Sequence, residues 1–180
     1  MWVTLFVAQS LDGRITRHEE PGDAFSSDAD KAQFRAAMRS HDAWIMGGES
    51  FRWMSSQRAP GEPWRPGLRR VVWTRTPEAH AAEAVAGVLE FTAASPAEIV
   101  ARLAGAGCRR CALLGGGQVY GAFLAAGLVD EVVVTVEPRV FGRGRPLTGE
   151  VAQDTRLRLV ECAPLDDGGA VRLRYEVIKS

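Results

Sequence analysis

Twice in this chain a short apolar run stops at consecutive glycines and resumes as a helix-forming stretch: AWIMGGESF at residues 43–51 and CALLGGGQVYGAFL at residues 111–124. Glycine is the residue that loses most freedom on folding, so repeated glycines between a strand and a helix need a reason. One reason is a tight turn. The other is close approach of an anion to bare main chain, where the helix start adds partial positive charge. Neither stretch is G-x-G-x-x-G or G-x-x-x-x-G-K-[ST], so the usual dinucleotide fingerprint and the nucleoside triphosphatase loop do not fit. Two such turns on one sheet edge make a two-sided cradle for a pyrophosphate.

The turns sit within an alternation of strands and helices. Residues 2–9, 42–46, 70–74, 88–91, 111–114 and 131–136 are expected strands, rich in β-branched and apolar residues. Ser27 caps a helix that begins DADKAQF, with acids that suit its positive end. Residues 49–54 form one or two helical turns, Ser95 and Pro96 open a helix to about Leu103, and residues 117–125 form another. Residues 11–27 and 58–67 are loops. Residues 157–162 and 170–178 alternate as a terminal hairpin around Asp166-Asp167-Gly168-Gly169. The pattern predicts an α/β fold, one domain over residues 1–180, with a mainly parallel sheet and an antiparallel edge. The glycine turns then lie at the carboxyl edge of the sheet, where open α/β folds bind ligands.

Charge and cysteine usage remove other classes. The 22 basic and 22 acidic residues cancel, so no nucleic-acid or membrane partner is indicated. No stretch approaches the roughly 20 apolar residues of a membrane span, and the N-terminus reads as a strand without a basic leader. Three cysteines cannot all pair, which favours a reducing cytoplasm. Cys108-Arg109-Arg110-Cys111 is a C-x-x-C without a second Cys/His pair at ligand spacing, so no metal site is expected. His18, His41 and His80 are scattered. The apolar ladder near the C-terminus suits a core or pairing with a second copy, a homodimer.

Read together, VTLFVAQSLDGRI, DADKAQF, AWIMGGESF, PGLRRVVWTRTP and LLGGGQVYGAFLAAGLVDEVVVTVEP resemble, in order and spacing, the dihydrofolate reductase-like superfamily. S-L-D-G-R-I and G-L-V-D-E lean toward the C-terminal reductase domain of riboflavin-biosynthesis proteins (RibD). The resemblance covers Val3 to about Leu147. It implies an eight-stranded mixed sheet flanked by helices, a terminal antiparallel hairpin, and NADPH as cofactor. The implied activity is hydride transfer to a small heterocycle, a ribosylamino-pyrimidine of riboflavin biosynthesis. Dihydrofolate reduction and a non-catalytic NADPH sensor are the alternatives.

By the same resemblance, Ala8 and Ile15 match positions lining the nicotinamide. Gly47, Gly48 and Ser50 match the first phosphate turn, and Gly115, Gly116, Gly117, Gln118, Val119 and Tyr120 the second. Thr74 and Arg75 match the pocket for the adenosine 2′-phosphate, and a guanidinium beside a hydroxyl is suited to a phosphomonoester. Asp30 and Thr135 match the acid and the threonine that hold a substrate ring. Reducing a C=N bond leaves nitrogen needing a proton, which an acid in a partly apolar pocket can supply. Asp30 also stands in the first turn of a helix, where an acid compensates the dipole. Phe25, Phe34 and Met54 would wall the substrate.

Some positions depart from the relatives. Leu68 stands where folate reductases carry the arginine for the glutamate tail, which argues against folate. FRWMSSQRAP replaces the D-D-P-x-L-T-x-R stretch of the riboflavin enzymes. Arg52, Arg58, Arg65 and Arg69 either take over the grip on a ribose phosphate or form a solvated face. No H-A-E and P-C-x-x-C pair occurs, so a deaminase half is missing.

Overall fold

The six parallel strands expected from the alternation all form. In the computed structural model, which describes residues 1–20, 22, 24–59, 61–149, 154–165 and 167–179, they are β1 (Trp2–Ser10), β2 (Ala43–Gly47), β3 (Arg69–Trp73), β4 (Leu89–Thr92), β5 (Arg110–Leu113) and β6 (Glu131–Glu137). The hairpin strands β7 (Arg156–Pro164) and β8 (Val171–Ile178) complete one sheet in the order β4-β3-β2-β5-β1-β6-β8-β7. β8 runs antiparallel to β6, so the sheet is parallel over six strands and antiparallel at one edge. Asp166 of the expected hairpin turn lies outside the described residues; Leu165 N donates to Ala170 O at 2.8 Å across it.

Local chemistry explains the helices. Helix α1 (Asp28–Arg39) is capped by the Ser27 hydroxyl, which accepts from Asp30 N at 3.2 Å. Helix α2 (Gly48–Ser56) starts on the first glycine pair, and α4 (Gly117–Ala125) on the triple glycine. Helix α3 (Pro96–Gly105) has a full capping box between Ser95 and Glu98 with proline in its first turn. Between β3 and β4 the chain forms a 3₁₀ turn at Pro77–Glu83 that sequence pattern had left unassigned. One face of the central strands is fully buried: Val3, Leu5, Ile45, Val71 and Leu113 are each at most 1% exposed. They pack against Ile99 and Leu103 of α3 and Phe123 of α4. The opposite face, less completely covered, carries the cavity.

Candidate functional site

One row of residues crosses the sheet beneath the cavity. Ala8 of β1 pairs with Thr135 of β6, and Thr135 pairs with Arg172 of β8. Because side chains alternate along a strand, Phe6 and Val133 share the face of Ala8 and Thr135. All five line a cavity of about 280 Å³. Helix α1 forms one wall through Asp30, Gln33, Phe34 and Ala37, spaced at i, i+3, i+4 and i+7 so that they share one face. Helix α2 forms the next through Ser50, Trp53 and Met54. Phe25, 4% exposed, and Ile15 come from the loop after β1.

The start of α1 is tied to the sheet. Glu137, 3% exposed at the end of β6, accepts a hydrogen bond from Ser27 N at 2.8 Å. This fixes where Asp30 enters the cavity wall. The loop after β1 is held by Asp12, which accepts from the Ser10 hydroxyl at 2.5 Å, Phe141 N at 3.1 Å and Gly142 N at 2.8 Å. The Ser10 hydroxyl, then the Phe141 amide, hold its carboxyl well below the ordinary range, at about 2. A depressed folded value means that this contribution is complete above about pH 4, the ordinary aspartate range, and fades as pH falls toward 2. Melting temperature should therefore fall between pH 4 and pH 2, and an Asp12→Asn chain should lose that part of the pH dependence.

The two glycine turns meet. Gly47 N donates to Gly115 O at 2.6 Å, and Leu114 N donates to Ile45 O at 2.8 Å. Gly115 needs to be glycine: its φ is +90°, and a Cβ would lie 2.8 Å from the Tyr120 hydroxyl. Gly116, with φ −80°, has nothing within 4 Å of a Cβ position, and Gly48 has only Arg52 Nη1 at 3.7 Å. Main chain is thus bare at Gly48 and Gly116, beside the helix starts whose first N–H groups have no intrahelical acceptor, whereas Gly117 is covered: a Cβ there would lie 2.9 Å from Pro146 O.

Of the expected site residues, the cavity gathers Asp30, Thr135, Phe25, Phe34, Met54, Ala8, Ile15, Ser50, Gly115, Gly116 and Tyr120. Gly47, Gly48, Gly117 and Gln118 form the adjoining turns and helix starts. Two side-chain expectations change. Val119 is 3% exposed and packs in the core against Gly47, so only its main chain faces the turn. Tyr120 is 3% exposed and its hydroxyl donates to Phe6 O at 2.6 Å, so it supports Gly115 from below. Thr74 and Arg75 do not line the cavity; they follow β3 on the same edge, and Arg75 is exposed. The loop arginines are also elsewhere: Arg65 donates to Met38 O and Arg39 O at 3.0 Å each, and Arg58 lies over the Trp64 ring.

Sequence reasoning missed Trp53, Gln33, Arg172 and Arg145. Trp53 and Gln33 could have been found, since they lie three residues from Ser50 and Asp30 on helices already expected. Arg172 depends on cross-strand register. Arg145, from the segment between β6 and β7, pairs with Glu49 at the first glycine turn. The C-x-x-C is structural: Cys111 is fully buried in β5, which pushes its thiol pKa upward and keeps it protonated. Among the described residues there is no metal-binding cluster, and no helix is long and apolar enough to cross a membrane.

A family model described as the RibD C-terminal domain matches residues 1–171. Among curated proteins, the chain is 28% identical over 174 residues to the uncharacterized protein YwjB of Bacillus subtilis, spanning 95% of each. A pyrimidine reductase-like protein of Corynebacterium diphtheriae matches with a TM-score of 0.77 at 19% identity, over 99% of this chain and 92% of that one. A Thermotoga maritima protein, described as a diaminohydroxyphosphoribosylaminopyrimidine deaminase/5-amino-6-(5-phosphoribosylamino)uracil reductase, matches with a TM-score of 0.68 at 17% identity. That match covers 98% of this chain and 56% of the Thermotoga chain. At such identities the solved structures establish the fold: an eight-stranded, mostly parallel sheet with a C-terminal antiparallel pair.

Proposed function

The chain belongs to the RibD C-terminal domain family, and from that membership and the geometry of the site we propose that it is an NADPH-dependent oxidoreductase acting on a small nitrogen heterocycle. The observation that carries this reading is the 2.6 Å hydrogen bond joining Gly47 to Gly115. It sets two bare helix starts side by side at the edge of an apolar cavity. Such starts hold a diphosphate through main-chain N–H groups and the helix dipole.

The strand order supports a dinucleotide laid along this edge. β1, β5, β2 and β3 are consecutive in the sheet, so three strand spacings, about 14 Å, separate Ala8 from the end of β3. Ala8 and Ile15 would flank the nicotinamide, the two glycine turns the diphosphate, and Thr74 and Arg75 the 2′-phosphate. Arg145, beside the first turn, offsets the charge of Glu49 there.

The bound dinucleotide supplies the hydride, as cofactors of this kind do. The chain's own residues place the acceptor and handle its proton. Phe6 and Phe34, at 6.2 Å between ring centroids, form an aromatic wall on which a flat ring can lie. Asp30 hydrogen-bonds the polar edge of the ring and passes a proton to the nitrogen left by reduction. Thr135 offers a hydroxyl from the sheet side of the same edge.

NADPH titrated into the purified protein should quench fluorescence from Trp53, with saturation between about 1 µM and 1 mM. Loss of NADPH absorbance should follow when aminopyrimidine or pteridine substrates are added. Saturable binding with no oxidation across the panel would assign the chain to a nucleotide sensor. No saturable binding up to about 1 mM would remove the cofactor, and the reductase with it.

A further inference from the structure

We infer that the substrate is a flat heterocycle carrying no phosphate, its polar edge held by Asp30, Thr135 and Arg172; this rests on the reductase reading above. Size is the first argument. At about 280 Å³ the cavity is at the small end for ligand sites, and the nicotinamide must share it. What remains suits one ring system.

Charge is the second. The charged side chains on the wall are Asp30, Glu49 and Arg172. Glu49 is answered by Arg145, which stands off the wall. Arg172 is already committed: its terminal nitrogens donate to Gln33 Oε1 and Glu161 Oε1. Glu161 in turn also holds Arg174, at 3.3 Å. A phosphate dianion on the substrate, away from the glycine turns, would find Arg172 already offset by Glu161 and no other Lys or Arg on the wall. An anion without a matching cation is strongly disfavoured against a neutral ligand. None of Arg52, Arg58, Arg65 and Arg69 lines the cavity, and no Lys or Arg occurs among residues 21, 23, 60, 150–153, 166 and 180.

The third argument is what Arg172 still offers. Its guanidinium lines the cavity with one terminal nitrogen on Gln33 and the other on Glu161. Each terminal NH2 keeps a second N–H, and such a donor on a charge-neutralised guanidinium fits a ring carbonyl. Thr135, its partner across the β6–β8 ladder, adds a hydroxyl that gives or accepts, and Asp30 faces the same cavity from α1. Together they match the alternating N–H and C=O edge of a lactam or aminopyrimidine.

Two matched pairs test this, each sharing one ring: 5-amino-6-ribosylaminouracil with its 5′-phosphate, and 7,8-dihydropterin with dihydrofolate. Calorimetric binding to the full chain without cofactor keeps the outcome separate from NADPH affinity, which is measured on its own. For at least one ring, the partner without the anionic tail should bind about tenfold tighter or better. A Glu161→Gln chain, in which Arg172 regains its charge, should narrow that ratio at least threefold, by roughly the order of one weak ionic contact. Equal or tighter binding of the tailed compounds, binding of neither ring, or an unchanged ratio in Glu161→Gln would overturn the inference. Failure of NADPH to bind would instead overturn the reductase reading.

Discussion

A Gly116→Val chain should fold as the parent does and bind NADPH at least about a hundredfold more weakly. The position tolerates a side chain: φ is −80° and ψ −162°, an extended conformation that valine favours, and nothing lies within 4 Å of the added Cβ. Losing glycine at the N-cap of α4 costs up to about 1 kcal/mol, which lowers the melting temperature by roughly 2–4 °C in a chain of this size. Binding is another matter. A branched side chain on the cavity rim holds an anion away from the main chain. Two hydrogen bonds to a charged group, at about 1.5–3 kcal/mol each, are then lost, and every 1.4 kcal/mol is about tenfold in affinity. Gly115→Ala is the contrast: at φ +90° and with Tyr120 in the way, it should destabilise the fold itself. If Gly116→Val bound NADPH like the parent, the glycines would be turn residues only.

The two variants differ because adjacent glycines do different work, and the sequence shows only their adjacency. What was legible was local. Apolar runs of strand length, Ser27 and Ser95 before their helices, and glycines at strand ends each carry their own physical instruction. The paired turns were readable for the same reason, and so was the wall of α1, once Asp30 and Phe34 were placed on one helix face. Arg172 was not readable. Its position opposite Thr135 depends on the register of β8 against β6, across 36 intervening residues that include the hairpin's other strand, with a register shift between Leu159 and Glu161. Arg145 was hidden likewise, since no short-range pattern says that a residue after β6 returns to the first glycine turn. The loop arginines could not be assigned from sequence either. Sequence left them between a phosphate grip and a solvated face, and Arg58 stacks on Trp64 while Arg65 satisfies carbonyls near the end of α1. A count of cations does not say which way they face. The 3₁₀ turn at Pro77–Glu83 is short and makes only i→i+3 bonds, which leave little trace in periodicity.

Asp30→Asn should lower kcat by about 10²–10⁴, the usual worth of a positioned acid, with a much smaller effect on NADPH affinity. The exchange keeps the shape of the side chain and the 3.2 Å bond from its own N–H to the Ser27 cap. It removes the negative charge and the ability to hold and release a proton. If Asp30 acted solely on the helix dipole, the change would cost about 0.3–1 kcal/mol of stability and leave turnover alone. The pH profile separates the two roles. An acid that delivers its proton makes the parent's rate fall as pH rises and the carboxyl ionises. The asparagine chain has no such group and should lose that limb of the profile. Its residual rate should also depend little on pH, because the proton then comes from water entering past Phe34, which at 36% exposure is the open side of the wall. Parent-like kcat with an unchanged pH profile would leave Asp30 as a helix-start acid, and the search for the proton donor would move to Thr135 and the water it can hold.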